Sequence, residues 1–328
     1  MTILFLKFAF GVWLLIAGSD WFTRAAALVT ELTGWPRVLM GAVLIGLTTN
    51  LPEMAVSLSA VWTGHGAIVL ANPTGSNIVN TGLILGLCLV LGRGRMEEEW
   101  LRAHGIPMLF AALLLYLLAL WGDIAALSGL ILLGACAVYM VLTFHHARRD
   151  PSLAAAWPVP GPEREAPSTV RGEPCWPTAV TLAVIGGAAV LISGQWVLDS
   201  SIAIARSWQI SEAVIGLTLI AAGTSLPELA TALSALRKGH HDTSLGIVLG
   251  SNIYNALGVV GLSGLAGVIP VTAANRLYDL PVMMFFLLVP FLGMGRTRQP
   301  GKTTGLVLVC AYGVYTYPLF TLYGIFEP

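Results

Sequence analysis

Glu53 and Glu228 each follow a Leu-Pro pair inside an otherwise apolar run. Placing a carboxylate in hydrocarbon is costly, so an intramembrane acid is by default a functional residue. The prolines sharpen the point. Proline lacks an N–H and clashes with the preceding turn. Pro52 and Pro227 are therefore expected to free main-chain carbonyls from Gly46 to Thr49 and from Ala221 to Thr224, beside the two acids. Two carboxylates with carbonyl and hydroxyl oxygens form a hard-oxygen site. Calcium takes about 6–8 oxygens in flexible geometry. Softer metals call for sulfur or imidazole, and neither accompanies the two acids.

The acids belong to a duplication. The stretch from Gly41 to Asn80 recurs from Gly216 to Asn255 without a gap, and 19 of the 40 paired positions are identical. The second part of each copy adds Ser76, Asn77 and Asn80, then Ser251, Asn252 and Asn255. Positions 76 and 80 share a helix face. Their uncharged oxygens suit a monovalent ion or a bound water. Gly75 and Gly250 allow close backbone approach. A lone intramembrane glutamate could be structural or interfacial. Two at matched positions, each after a helix-breaking proline, weigh strongly against that reading. Membrane serines often bond their own backbone, which is an even prospect for Ser59 and Ser234 and a poorer one for Ser76 and Ser251. Gly64-His65 and Gly239-His240 read as helix ends rather than metal ligands. Asp20 has no acidic partner in the second copy, where Gln195 stands, and is an interface or gate residue at most.

GTSLPE at 223–228 and GSNIYN at 250–255 resemble the signature alpha-repeats of the sodium/calcium exchanger family, prokaryotic type, within the calcium/cation antiporter superfamily. The resemblance implies exchange of calcium for sodium by alternating access at a central group of four sites. It implies that Glu53 and Glu228 hold calcium with the Thr49 and Thr224 carbonyls. It implies flanking sodium sites from Asn50, Ser76 and the Gly46 carbonyl, and from Ser225, Ser251 and the Ala221 carbonyl. Asn80 and Asn255 match central positions of the third and eighth helices. The first copy departs from the pattern at Thr48, Asn50, Ala71 and Pro73. Many exchangers carry aspartate at one of the two positions held here by Asn80 and Asn255. With both neutral, two carboxylates neutralise one calcium or two sodium ions. The same acids could instead cycle between ion-bound and protonated forms, giving a cation/proton antiporter. A cation channel is the remote alternative.

The elements that must position these groups are membrane helices. Of 328 residues, 56% are hydrophobic and 10% charged, against about 25% charged in a soluble domain; mean hydropathy is +0.80. Apolar runs of about 20 residues recur along the chain. The expected fold is all-α and polytopic, with ten transmembrane helices near 2–32, 38–63, 67–91, 105–121, 124–144, 177–206, 211–237, 243–268, 278–295 and 304–323. The second helix is expected to break at Thr48 to Pro52 and the third near Asn72 to Ser76. A proline-rich polar segment separates the halves, giving a first five-helix repeat at 1–147, a linker at 148–176 and a second repeat at 177–328. Loops after odd-numbered helices hold thirteen Lys and Arg, while the opposite side holds Lys7, Arg206 and Arg276. The positive-inside rule then places the linker in the cytoplasm and both termini outside, in the inner (plasma) membrane. Five helices per half force the homologous halves into opposite orientations, an inverted repeat as in many secondary transporters.

Other classes find little footing. The four cysteines are scattered, so neither a zinc site nor a disulfide framework is suggested. There is no HExxH motif and no convincing Ser/His or paired-Asp constellation, so an enzyme is not expected. No cofactor is implied beyond the transported calcium and sodium ions. The expected partners are those ions or protons and the lipid bilayer, with no nucleic acid; a monomer is the expectation.

Overall fold

The structure, a computed structural model, describes residues 1–33, 49–92, 104–149, 175–237, 241–292 and 300–326, and these residues are almost entirely helical. We label the helices in chain order. Those of the first half are α1 (Thr2–Thr33), α2 (Leu51–Trp62), α3 (Gly66–Leu91), α4 (Ile106–Trp121) and α5 (Ala126–Arg149). The second half begins with α6 (Trp176–Trp208), α7 (Glu212–Thr224) and α8 (Leu226–Arg237). It ends with α9 (His241–Ile253, continuing as Tyr254–Val259 and Val260–Ala266), α10 (Asn275–Leu292) and α11 (Lys302–Phe326). Six of these helices are long and apolar enough to cross a membrane, or seven if α7 and α8 count as one bent span; this count is of the described residues. The chain is therefore a multi-pass, all-helical membrane protein. Most of the loop cations on which its orientation rests, Arg37, Arg93 and Arg296 among them, lie outside the described residues, as do the expected start of the second helix and the body of the linker.

The proline-marked break is present. α7 and α8 meet at Ser225 with a bend of 42°, and Pro227 stands at the start of α8. In the first half, Asn50 precedes α2 with φ −92° and ψ 6°, and Pro52 lies in the first helical turn. The expected break near Asn72 to Ser76 is not there. α3 runs as regular α-helix from Gly66 to Ile78 with Pro73 inside it. It then widens into a π-helix over Val79–Leu85. A proline in a helix enclosed by its neighbours loses one hydrogen bond without ending the helix, because the surrounding helices hold its backbone in place. α9 widens at the matching place, Tyr254–Val259. Single π turns of this kind cluster at functional sites.

Packing sets an inside and an outside. α3 and α9 are the most enclosed spans. α1 and α6 lie against each other along their length. They cross at two glycines: a Cβ on Gly186 would come within 2.7 Å of the Phe22 nitrogen and 2.8 Å of the Gly18 carbonyl. Their other faces expose Ile3, Leu6, Trp13, Val184 and Leu191, as lipid contact requires. Trp62, Trp121, Trp176 and Trp208 are exposed at helix ends, where an interfacial belt is expected. The last turns of α3 pack on α11, and the last turns of α9 pack on α5. These contacts are reciprocal between the halves.

Candidate cation site

The break delivers each acid to the first turn of a new helix, Glu53 in α2 and Glu228 in α8. A helix N-terminus favours a carboxylate there. Both side chains are 0% exposed, and the two carboxyl groups are close enough to interact electrostatically. They therefore share one enclosed centre, at the crossing of α2, α3, α7, α8 and α9.

Two sets of contacts knit that centre across the halves. In the first, Ser251 on α9 lies 3.0 Å from Glu228 Oε1 and 2.9 Å from Asn50 Oδ1. In the second, the Thr224 and Ser76 hydroxyls adjoin the Glu53 carboxyl and lie 3.4 Å from each other. Among the described residues, no hydrogen bond of ordinary geometry reaches either Glu53 oxygen, Glu228 Oε2, Ser225 Oγ or the side-chain amides of Asn80 and Asn255. Buried polar atoms are ordinarily paired. Unpaired carboxyl oxygens on two interacting buried acids are donors suited to a hard cation.

The contacts above bring Asn50, Glu53, Ser76, Thr224, Glu228 and Ser251 together; the other described residues singled out in the sequence are placed by burial or by their neighbours. Glu53, Asn50, Ser76, Asn80, Thr224, Ser225, Glu228, Ser251 and Asn255 are buried, and Thr49 flanks Asn50, whose amide donates to its hydroxyl at 3.3 Å. The Ala221 carbonyl lies in the last turn of α7; it accepts the Ser225 N–H at 3.1 Å and lies 3.3 Å from the Thr224 hydroxyl. Gly46 lies outside the described residues. Gly75 serves close packing, since a Cβ there would meet the Leu217 carbonyl at 2.6 Å. Asp20 stands apart, paired with Arg24 at 2.7 Å on the exposed side of α1.

Sequence reasoning gave no role to Asn72, Met108 or Met283, which lie around the site. Asn72 donates to the Glu53 carbonyl and to Ser57. Asn77 contacts the Met283 sulfur, and Asn252 contacts the Met108 sulfur, at 3.5 and 3.4 Å. Met108 and Met283 stand at the same 175-residue offset as the two acids, so extending the repeat comparison past Asn80 would have found them. Among the described residues no cluster of His, Cys, Asp and Glu could hold a metal by those ligands alone, which leaves the mixed oxygen set.

Known proteins resemble this chain over nearly its whole length. The family described as sodium/calcium exchanger protein matches residues 3–145 and again 178–321. CaxA of Alkalimonas amylolytica is 32% identical, covering 95% of this chain and 97% of its own. The sodium/calcium exchanger MaX1 of Methanosarcina acetivorans is 28% identical over 98% of this chain and 99% of its own. The Ca(2+)/H(+) antiporter ChaA of Bacillus subtilis is 24% identical over 94% and 90%. A solved structure of the sodium-calcium exchanger NCX_Mj, soaked with sodium and strontium, superposes with a TM-score of 0.63 at 26% identity, covering 96% of this chain and 98% of that one.

Proposed function

The chain belongs to the sodium/calcium exchanger family, in its prokaryotic form, and on that premise we propose that this calcium/cation antiporter exchanges calcium for sodium at Glu53 and Glu228. The observation that carries the reading is the pair of fully buried, interacting carboxyl groups with unpaired oxygens around them. Calcium sits between the two acids with the Thr49 and Thr224 carbonyls. Sodium ions occupy the flanks, at Asn50, Ser76 and the Gly46 carbonyl, and at Ser225, Ser251 and the Ala221 carbonyl. Asn80 and Asn255 complete the centre with uncharged oxygens.

The architecture proposed for this exchange has ten transmembrane helices as two inverted five-helix repeats, 1–147 and 177–328. A cytoplasmic linker at 148–176 joins them, and both termini lie outside the inner membrane. The family match falls in two segments and the helix-end contacts are reciprocal, which supports this plan. Exchange then follows from competition. Calcium and sodium cannot both neutralise the same two acids, and either loaded state lets the carrier switch sides. The empty site does not switch, because two bare charges would have to move through hydrocarbon.

A second reading has its own observation. One Ser251 proton faces two acceptors, Asn50 Oδ1 and Glu228 Oε1. A proton on Glu228 would complete that chain, as a calcium/proton antiporter requires. Radiolabelled calcium uptake into proteoliposomes, with sodium and proton gradients imposed separately, separates the two. Uptake driven by sodium at equal pH is expected. Uptake driven by a pH gradient without sodium would replace sodium by the proton. Uptake with neither gradient, carried by voltage alone, would mean a channel.

A further inference from the structure

The two halves differ at several buried positions around the acids, and one of them is position 72. Asn72 on α3 corresponds to Ile247 on α9, and Asn72 is 0% exposed. Its amide donates to the Glu53 main-chain carbonyl at 3.2 Å and to Ser57 Oγ at 3.0 Å, both on α2. Its carbonyl oxygen accepts the Thr224 hydroxyl of α7 at 3.3 Å. One side chain thus joins the helix that carries the first acid to the end of the helix that precedes the second.

The Thr224 hydroxyl adjoins the Glu53 carboxyl; once a cation occupies that carboxyl, the single hydroxyl proton has a choice of other acceptors. Asn72 Oδ1 and the Ala221 carbonyl each lie 3.3 Å away, and Ser76 Oγ lies 3.4 Å away. A carbonyl has two lone pairs, and Ala221 already spends one on the Ser225 N–H. If the Thr224 proton turns to Ala221, that carbonyl is saturated. If it turns to Asn72, the second lone pair of Ala221 remains open, and Thr224 Oγ1 can accept from Ser76.

We infer that Asn72 is a positioning residue for the monovalent-cation sub-site: it takes the Thr224 proton and so keeps the Ala221 carbonyl available as a ligand. The inference rests on the reading of Ala221 as a sodium ligand given above. It makes the two flanking sub-sites unequal, because Ile247 offers no acceptor to the other half.

The test is sodium competition against radiolabelled calcium binding to the purified full-length protein. Asn72→Leu is expected to raise the sodium concentration that displaces half the calcium about tenfold, the worth of one hydrogen bond. The calcium Kd itself should move less than about twofold. Loss of packing alone would not separate the two ions in this way. Asn72→Thr, which keeps a hydroxyl acceptor, should restore sodium competition relative to Asn72→Ala, which keeps none; this pair serves where the leucine variant does not fold. In a Thr224→Val background, whatever its own affinity, Asn72→Leu should add no further shift, because there is no hydroxyl proton left to direct. Additive effects of the two substitutions, or parallel loss of calcium and sodium affinity, would overturn the assignment. Wild-type protein whose calcium is not displaced by sodium would overturn the sodium reading, and this inference with it. Wild-type displacement left unchanged by Asn72→Leu would overturn the inference alone.

Discussion

The acid-bearing helices α2 and α8 have closely related sequences and unequal surroundings. α2 buries Pro52 through Ser57 as well as Ser59 and Ala60, whereas α8 buries only Glu228 and Ala232. α6 covers α2 at close range: a Cβ on Gly194 would meet the Ala55 Cβ at 2.8 Å. On α8, Leu226 stays 41% exposed. The acids differ too. Glu228 has the Ser251 hydroxyl at 3.0 Å, while Glu53 has the Thr224 and Ser76 hydroxyls beside it but, among the described residues, no hydrogen bond of ordinary geometry to either oxygen. A duplicated sequence therefore does not fold into duplicate environments. One arrangement of the helices covers one copy and opens the other, as an alternating carrier would in each of its two end states.

The strongest way to break the comparison is to neutralise the acids one at a time. Either Glu53→Gln or Glu228→Gln should lower calcium flux into proteoliposomes ~100-fold or more, since removing one member of a buried charged set costs about 3–5 kcal/mol. Normal flux in one variant would mean that the halves divide the labour rather than share it. Charge counting gives the next largest effect. Two carboxylates balance one calcium or two sodium ions, so wild-type exchange should ignore an imposed potassium diffusion potential. Asn255→Asp adds a third charge to one half only. It should make flux voltage-dependent, by up to ~50-fold per 100 mV for one uncompensated charge.

Smaller effects sharpen the contrast between the acids. Ser251→Ala removes a hydrogen bond to a charged group and should weaken calcium binding about tenfold. Ser76→Ala, whose hydroxyl only adjoins Glu53, should weaken it by about threefold or less. Equal losses, measured as calcium Kd by isothermal titration, would erase the asymmetry. The smallest change is expected far from the site. His65 and Glu212 tie the α2–α3 turn to the start of α7 at 2.8 Å, at a partly exposed position. His65→Gln should shift calcium Kd by less than about twofold, since exposed ion pairs contribute little.

Much of this was legible in the sequence because it follows from costs that no tertiary context removes. An acid in an apolar run must be explained, and Pro52 and Pro227 must disturb their helices wherever these lie. Hence the two acids and the break at Ser225 were foreseeable, as was the approach of Ser76 and Ser251 to the acids. Pro73 misled because a buried helix tolerates a missing hydrogen bond that an isolated one would not. Asn72 was passed over because its partners, Glu53, Ser57 and Thr224, come from two other helices, and no spacing along the chain reports such a crossing. The identical GSN motifs of the two halves could not say that Ser251 lies 3.0 Å from Glu228 and bonds Asn50 as well, while Ser76 adjoins Glu53 together with Thr224.

The central claim is that both acids hold the same calcium ion, and equilibrium binding of radiolabelled calcium to purified protein tests it most directly. The account predicts one ion bound per chain in the wild type, and loss of that ion in Glu53→Gln and in Glu228→Gln alike. Retention of wild-type calcium binding by either single variant would contradict it.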